Sequence, residues 1–374
     1  MTERSWLFWM QAAAWAASGA TPWHALVLLT LPALLQAAPA PDVLERPAMA
    51  VRHVEQTVLL GIAHAGSRLV AVGERGLIIL SDDDGRSWHQ APSPVSVSLT
   101  SVFFLDADKG WIVGHQGVVL ASTDGGDHWR LLLQGRAAAQ LALTAAQSGP
   151  QDPQAAGSRQ LKEARRLVAE GADKPFFDLY FADAHEGWVV GAFGLCFHTD
   201  DGGKSWQSWM AHVDNPDGFH LYAMAGRGRK VYIVGEQGLL LRSLDGGRIF
   251  QRLKGPTQTS FFTLRLFGEA DILVAGMAGQ VLHSADGGQH WRVLSGGGSA
   301  WLASAALGAG RVVLADQSGR LMLASIARSG LQPLPEPPLA TVAGLAVASD
   351  GSLITVGYGG LRRLPAPPQA RQES

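Results

Sequence analysis

An eight-residue pattern, Ser-x-Asp-x-Gly-x-x-Trp, recurs five times along this chain, and a sequence built on such a repeat has few folds open to it. It stands as Ser81, Asp83, Gly85 and Trp88, and as Ser122, Asp124, Gly126 and Trp129. Thr199 replaces serine beside Asp201, Gly203 and Trp206, Phe250 replaces tryptophan beside Ser243, Asp245 and Gly247, and the last copy is Ser284, Asp286, Gly288 and Trp291. A Gly-x-x-Gly turn between two apolar runs precedes each copy, at Gly73/Gly76, Gly114/Gly117, Gly191/Gly194, Gly235/Gly238 and Gly276/Gly279. The turn continues after the longer pattern fades, at Asp316/Gly319 and Gly357/Gly360. Successive first positions lie 40 to 44 residues apart, except for one step of 77. A period of this length, with four short apolar runs per unit, predicts propeller blades. The fold class is therefore all-β: a seven-bladed β-propeller with a turn of this kind, an Asp box, in five blades and a helical insertion between two of them.

The second unit is the clearest. Residues 99–105 read as the inner strand, 110–114 as the second, 117–122 as the third and 129–133 as the outer one, with turns at 106–109 and 124–127. Because repeats share one core, 374 residues need not mean several domains, and residues 41–364 are assigned to a single propeller. The last unit stops after a third strand at 360–364, where Pro365, Pro367 and Pro368 end any pairing, and residues 49–54 are expected to supply the fourth strand and close the ring. The long step places an insertion at 134–174, expected to be a helical hairpin. Its first helix covers 136–147. Its second starts from Ser158 as N-cap and ends at Gly171, with Leu161, Ala164 and Val168 on one face and Arg159, Lys162, Arg165, Arg166 and Glu170 over much of the rest. Residues 365–374 are read as a disordered tail.

Residues 1–40 are a different material. An apolar core at 26–35 followed by the small residues of 36–40 fits a secretory signal, with an uncleaved anchor as the alternative. The expected location is periplasmic. A formal net charge of −2 gives no reason to expect nucleic acid as a partner. The single cysteine, Cys196, leaves no internal disulfide and no multi-cysteine metal cluster, and its apolar setting reads as a buried structural thiol.

Within each Asp box a carboxylate between a strand and glycines suits a tight turn in which it accepts backbone N–H groups. Asp83, Asp124, Asp201, Asp245 and Asp286, with Trp88, Trp129, Trp206 and Trp291, are therefore assigned to structure. His198 and His283 share one repeat position, as do His128 and His290, which a repeat explains without a metal. The two residues inside each Gly-x-x-Gly turn are set less by strand geometry. These turns join second to third strands, on the face that also carries the connections between blades and the insertion. The partner-binding candidates are Glu74, Arg75, His115, Gln116, Phe193, Glu236, Gln237 and Tyr358, together with Arg165 and Arg166 of the insertion.

The run Gly-Trp-x-Val-Gly-x-x-Gly-x-x-x-x-Ser-x-Asp-Gly-Gly-x-x-Trp, at residues 110–129 and again with Thr199 for serine at 187–206, resembles the photosystem II assembly factor-like group of BNR/Asp-box propellers. The resemblance covers roughly residues 49–364. It implies a non-enzymatic, monomeric scaffold without cofactors that holds membrane-protein partners during assembly. The helical insertion and the faded last two boxes depart from the photosynthetic members, and the Ala/Gly/Arg-rich composition looks like that of a non-photosynthetic bacterium, where relatives are similar to proteins associated with resistance-nodulation-division type exporters. The resemblance thus implies a membrane complex with a periplasmic part. The alternative is a sialidase-like glycoside hydrolase or a carbohydrate-binding propeller, since Asp boxes also occur in glycosidases. Against it, Tyr180, Tyr222, Tyr232 and Tyr358 bring no recognisable partner set, and Arg265 is the main inner-strand arginine.

Overall fold

Every sheet in the molecule is made of strands consecutive in sequence. The computed structural model describes residues 42–148, 156–171 and 173–368. Among them, six antiparallel sheets have four strands and the seventh has three. Blade one runs Leu59–Ala65, Arg68–Gly73, Ile78–Ser81 and His89–Ala91, and blade two runs Leu99–Phe104, Gly110–Gly114, Val119–Ser122 and Arg130–Leu133. Second strands such as Gly110–Gly114 and Gly187–Gly191 are buried along their whole length, because each lies between two neighbouring blades. Their near-continuous apolar character follows from that double burial. Outer strands cover one side only, so Arg130–Leu133 buries only its last residue.

The Asp box is a hydrogen-bonded knot. In blade two, the Ser122 hydroxyl donates to Asp124 Oδ1 (2.8 Å) and accepts from the Gly126 N–H (2.9 Å). The His128 N–H donates to the same carboxylate (3.0 Å), and Trp129 Nε1 donates to the Gly126 carbonyl (2.8 Å). Burial alone would raise the Asp124 pKa, but bonds from the His128 N–H, the His128 ring and Ser122 outweigh it and hold the carboxyl at about 2. In Asp201, burial is likewise outweighed, by the Ser205 hydroxyl and N–H and by Thr199, and the value is again about 2. A carboxyl depressed on folding adds stability above its unfolded pKa of about 4 and loses it as pH falls through the folded value. Acid unfolding should therefore respond to these boxes between about pH 4 and pH 2. Asp124→Ala should cost roughly 1–3 kcal/mol at pH 7 and flatten that response, as read by denaturant melts across pH.

The box also joins blades. The carbonyl just after its aspartate accepts a side chain from the preceding blade: Arg68 Nη1 reaches Gly125 O (3.2 Å), Trp111 Nε1 reaches Gly202 O (3.2 Å) and Arg242 Nη1 reaches Gly287 O (2.7 Å). Trp209 makes the corresponding bond one residue later, on Gly247 O (2.8 Å).

Ring closure departs from expectation. Residues 49–54 do not add a strand to blade seven, which consists of Val342–Val347, Leu353–Gly357 and Gly360–Leu364. They run beside blade one instead, where Gln90 exchanges side-chain hydrogen bonds with the Val51 N–H and the Met49 carbonyl. A single 3-10 turn, Val54–Gln56, then meets only the Gly360 end of blade seven. The seam between blades seven and one is held by packing of Leu69, Ile79, Ile354, Val356 and Leu361 in one cluster, and by side chains. Arg363 Nε donates to Asp84 O (3.1 Å), the position that Gly125 and Gly202 occupy elsewhere. Ser349 binds the Asp84 carboxylate, and Asp350 takes both Arg86 and Arg363. The count of strands alone predicted a shared sheet because it could not see that the ordinary inter-blade joint suffices.

The insertion contributes helices α1 (Gly135–Ser148) and α2 (Ala156–Glu170), which pack against each other. Helix α2 begins two residues before Ser158, so that serine lies inside the first turn and is not the cap. Its inner face also differs from the expected one: Ala164 is buried and Leu167 packs on the core between blades two and three, whereas Val168 is 41% exposed. No helix among the described residues is long and apolar enough to cross a membrane. The expected signal at 1–40 lies outside the described residues, as do residues 369–374.

Candidate partner-binding face

The seven turns between second and third strands are tied to the entry of their own blade. In each, the N–H of the first turn residue donates to the carbonyl just before the inner strand: Glu74 to Val58, His115 to Ser98, Ala192 to Pro175, Glu236 to His220, Met277 to Ser260, Gln317 to Ala300 and Tyr358 to Thr341. The turns therefore share one face with the chain connections between blades. Arg75, Gln116, Phe193 and Gln237 each hold a left-handed backbone conformation, with φ between 52° and 59°, which turns their side chains away from the sheets. Glu74, Arg75, His115, Gln237 and Tyr358 are exposed, and Gln116 and Glu236 are half-buried.

The inner strands carry a feature that sequence reasoning missed. Each has a bulge at its second residue, where the register with the second strand slips. These positions ring the mouth of the central channel, and in blades three, four and five they are Phe177, Tyr222 and Phe262. The rings form an arc, with Phe177 at 5.5 Å from Tyr222 and Tyr222 at 5.0 Å from Phe262. His220 extends it, 6.2 Å from Phe177 and 4.9 Å from Phe193, whose own ring is 50% exposed. His220 also accepts the Phe193 N–H at Nδ1 (2.8 Å) and donates its own N–H to Glu236 Oε2 (3.1 Å). The structure thus brings together Phe193 and Glu236 of the expected residues. Glu74, Arg75, His115, Gln116 and Tyr358 sit at turns of other blades. The signal that could have found the arc is three aromatic residues at one repeat position.

Beyond Phe193 the arc meets a cavity of about 400 Å³ beneath the insertion. Ala142, Ala146 and Leu167 line it from the helices, and Met210, Val213 and Pro216 from the blade side. Lys174 lies 5.3 Å from the centre of the Phe193 ring and pairs with Glu170 (2.7 Å). Arg166 pairs with the same Glu170 (2.6 Å) and lines the cavity. Arg165 is exposed and is not among the lining residues, so the two arginines grouped by sequence have different surroundings.

The central channel has a volume of about 390 Å³. Asp178 and Arg265 are the charged residues lining it. Asp178 accepts from Ser101 Oγ (2.8 Å) and from the Met224 N–H (2.8 Å), which links blades two, three and four, and burial pushes its carboxyl upward. Arg265 donates to the carbonyls of Leu264 and Ser304, tying blade five to blade six. Among the described residues Asp178 is the one carboxylate lining the channel. Tyr180 and Tyr222 line it, Tyr358 is exposed on the rim, and Tyr232 is buried. Cys196 is fully buried, which pushes its thiol up and out of reactive range.

The family model described as photosynthesis system II assembly factor YCF48 matches residues 161–260. The photosystem II assembly lipoprotein Ycf48 of Synechococcus sp. (strain CC9902) is 31% identical over 118 residues, which is 30% of this chain and 35% of that protein. The photosystem II assembly protein Ycf48 of Synechococcus sp. (strain JA-3-3Ab) is 26% identical over 181 residues, 47% of this chain and 43% of that one. The chain thus matches less than half the length of these relatives. Among solved structures, YCF48 bound to D1 peptide superposes with a TM-score of 0.60 at 16% identity, covering 86% of this chain and 99% of that one. The WD40 repeats of RRP9 reach 0.59 at 12% identity over 86% and 96%, so these superpositions speak for the fold alone.

Proposed function

We propose that this chain, a β-propeller similar to the photosystem II assembly factors, is a non-enzymatic, exported binding protein that holds a segment of a membrane protein while its complex is assembled or operates. The observation that carries this reading is the aromatic arc from Phe262 to Phe193, open at the channel mouth and continuous with the cavity under the insertion. Three half-buried aromatic rings and the exposed Phe193 beside an apolar recess, rimmed by paired charges, suit a protein segment with bulky side chains better than a sugar or a nucleotide. Similar proteins support the same direction, since YCF48 is seen bound to D1 peptide and Ycf48 of two cyanobacteria is a photosystem II assembly lipoprotein. A resistance-nodulation-division type exporter is the finer form of the proposal and rests on the family resemblance.

The test is capture of detergent-solubilised membrane complexes on the immobilised protein. Wild-type protein should retain a defined membrane complex, and the pair Phe193→Ala with Tyr222→Ala should lower recovery about tenfold at little change in melting. Equal recovery by the variant would remove the arc from the proposal. Retention of cell-wall sugars in place of a membrane protein would overturn the proposal itself.

A further inference from the structure

Blade seven ends on an open edge. In the four-stranded blades the third strand presents its backbone to a fourth, and the Trp209, Leu253 and Leu334 N–H groups donate to the carbonyls of Cys196, Leu240 and Leu321. Each of these acceptors lies two residues beyond the closing glycine of its turn. The turn of blade seven is one residue shorter and pairs Gly357 with Gly360, so Arg362 bonds inward to Thr355 and the outward backbone groups are those of Leu361 and Arg363; among the described residues no strand lies beyond Gly360–Leu364. Among the described residues this edge is left uncovered. The turn Val54–Gln56 touches its Gly360 end, and the residues after Leu364 cross to blade six, where Arg311 donates to the Pro368 carbonyl (3.1 Å). A cleft of about 220 Å³, lined by Leu339, Thr355 and Arg362 among others, lies alongside.

We propose that residues 361–363 form a docking edge for an extended, acidic segment of a protein partner, which adds as the missing fourth strand. The other blades specify what fits. Their outer segments expose most side chains and turn a single aliphatic residue inward, as with Ala91, Leu133, Leu294 and Leu334. Charge then selects among such segments. Arg363 is consumed by Asp350 and the Asp84 carbonyl, whereas Arg362 is exposed and has no acidic oxygen within 4 Å among the described residues. A bare edge invites indiscriminate pairing, and a cation on it is a common guard. The same guard repels basic strands and favours acidic ones directly opposite. This edge is separate from the channel mouth, so the inference stands apart from the function proposed for that face.

The experiment fuses a probe strand, Glu-Thr-Leu-Glu-Thr, behind Ser374 of the full chain through a flexible Gly/Ser linker, which raises its effective concentration at the edge. Amide hydrogen exchange is then followed at residues 361 and 363, whose N–H groups face the open edge. The acidic probe should slow both amides, and by about threefold or more than a Lys-Thr-Leu-Lys-Thr probe. Arg362→Glu should reverse that preference. Arg363→Pro should abolish protection there, because it removes an outward N–H, and if that variant does not fold the charge reversal at Arg362 decides. Fast exchange with both probes would overturn the proposal. So would slow exchange in the unfused monomer, which would mean that the chain covers its own edge, or protection that rises with protein concentration, which would mean a second copy does.

Discussion

Gly76→Ala should destabilise the propeller by about 2–5 kcal/mol, near the upper end for any single replacement. Two effects add. Gly76 has φ +76°, a left-handed conformation that costs an alanine about 1–2 kcal/mol. An added Cβ would also lie 1.9 Å from the carbonyl oxygen of Val95, in the connection between blades one and two, and backbone on both sides leaves little room to yield. Gly246→Ala separates the terms, because that glycine has φ +78° with nothing within 4 Å and should show the conformational cost alone. Denaturant unfolding of the two variants measures the difference. Equal losses would mean that the turn and the connection separate at little cost, and that the rim of the partner-binding face is softer than its packing suggests.

Replacing residues 136–173 by a short Gly/Ser linker should reduce capture of the membrane partner about 100-fold, while the protein still unfolds in one transition. The geometry permits the replacement. A Cβ on Gly117 would lie 2.7 Å from Gly135 Cα and 3.6 Å from the Lys174 carbonyl, so the insertion leaves and returns at one place. Its removal takes away one wall of the cavity but leaves Lys174 over Phe193. The fold should pay a modest cost, since Ala138, Ala142 and Ala164 are buried against the blade two and three boundary, and Leu132 and Met210 lose cover. Capture at full strength by the shortened chain would confine binding to the turns and the aromatic arc.

The repeat made most of this architecture legible. A glycine that must avoid a carbonyl and a carboxylate that must gather N–H groups recur because the local geometry recurs, so position in the period predicted role. Legibility failed where residues depend on neighbours in space. Phe177, Tyr222 and Phe262 act together only because a bulge in each inner strand turns them to one mouth. Arg165 and Arg166 look equivalent in sequence, and only helix packing sets one over the cavity. The expected closing strand failed for a related reason: Asp84, an ordinary box residue by pattern, is the seam's acceptor for a side chain 279 residues away.

That seam bears on how the protein comes to be folded. Where a propeller closes by lending its first segment to its last sheet, that sheet cannot finish until the two ends of the chain meet. Here each sheet draws on one contiguous stretch, so it can be complete as soon as that stretch has left the ribosome, and the loop-closure entropy of joining distant strands is deferred. Only side chains such as Arg363, Asp350 and Asp84 must find each other across the length of the molecule. The same arrangement gives the ring a weakest joint, at which it can open between two intact blades without tearing a sheet, and slow exchange should persist within the blades after the seam has parted.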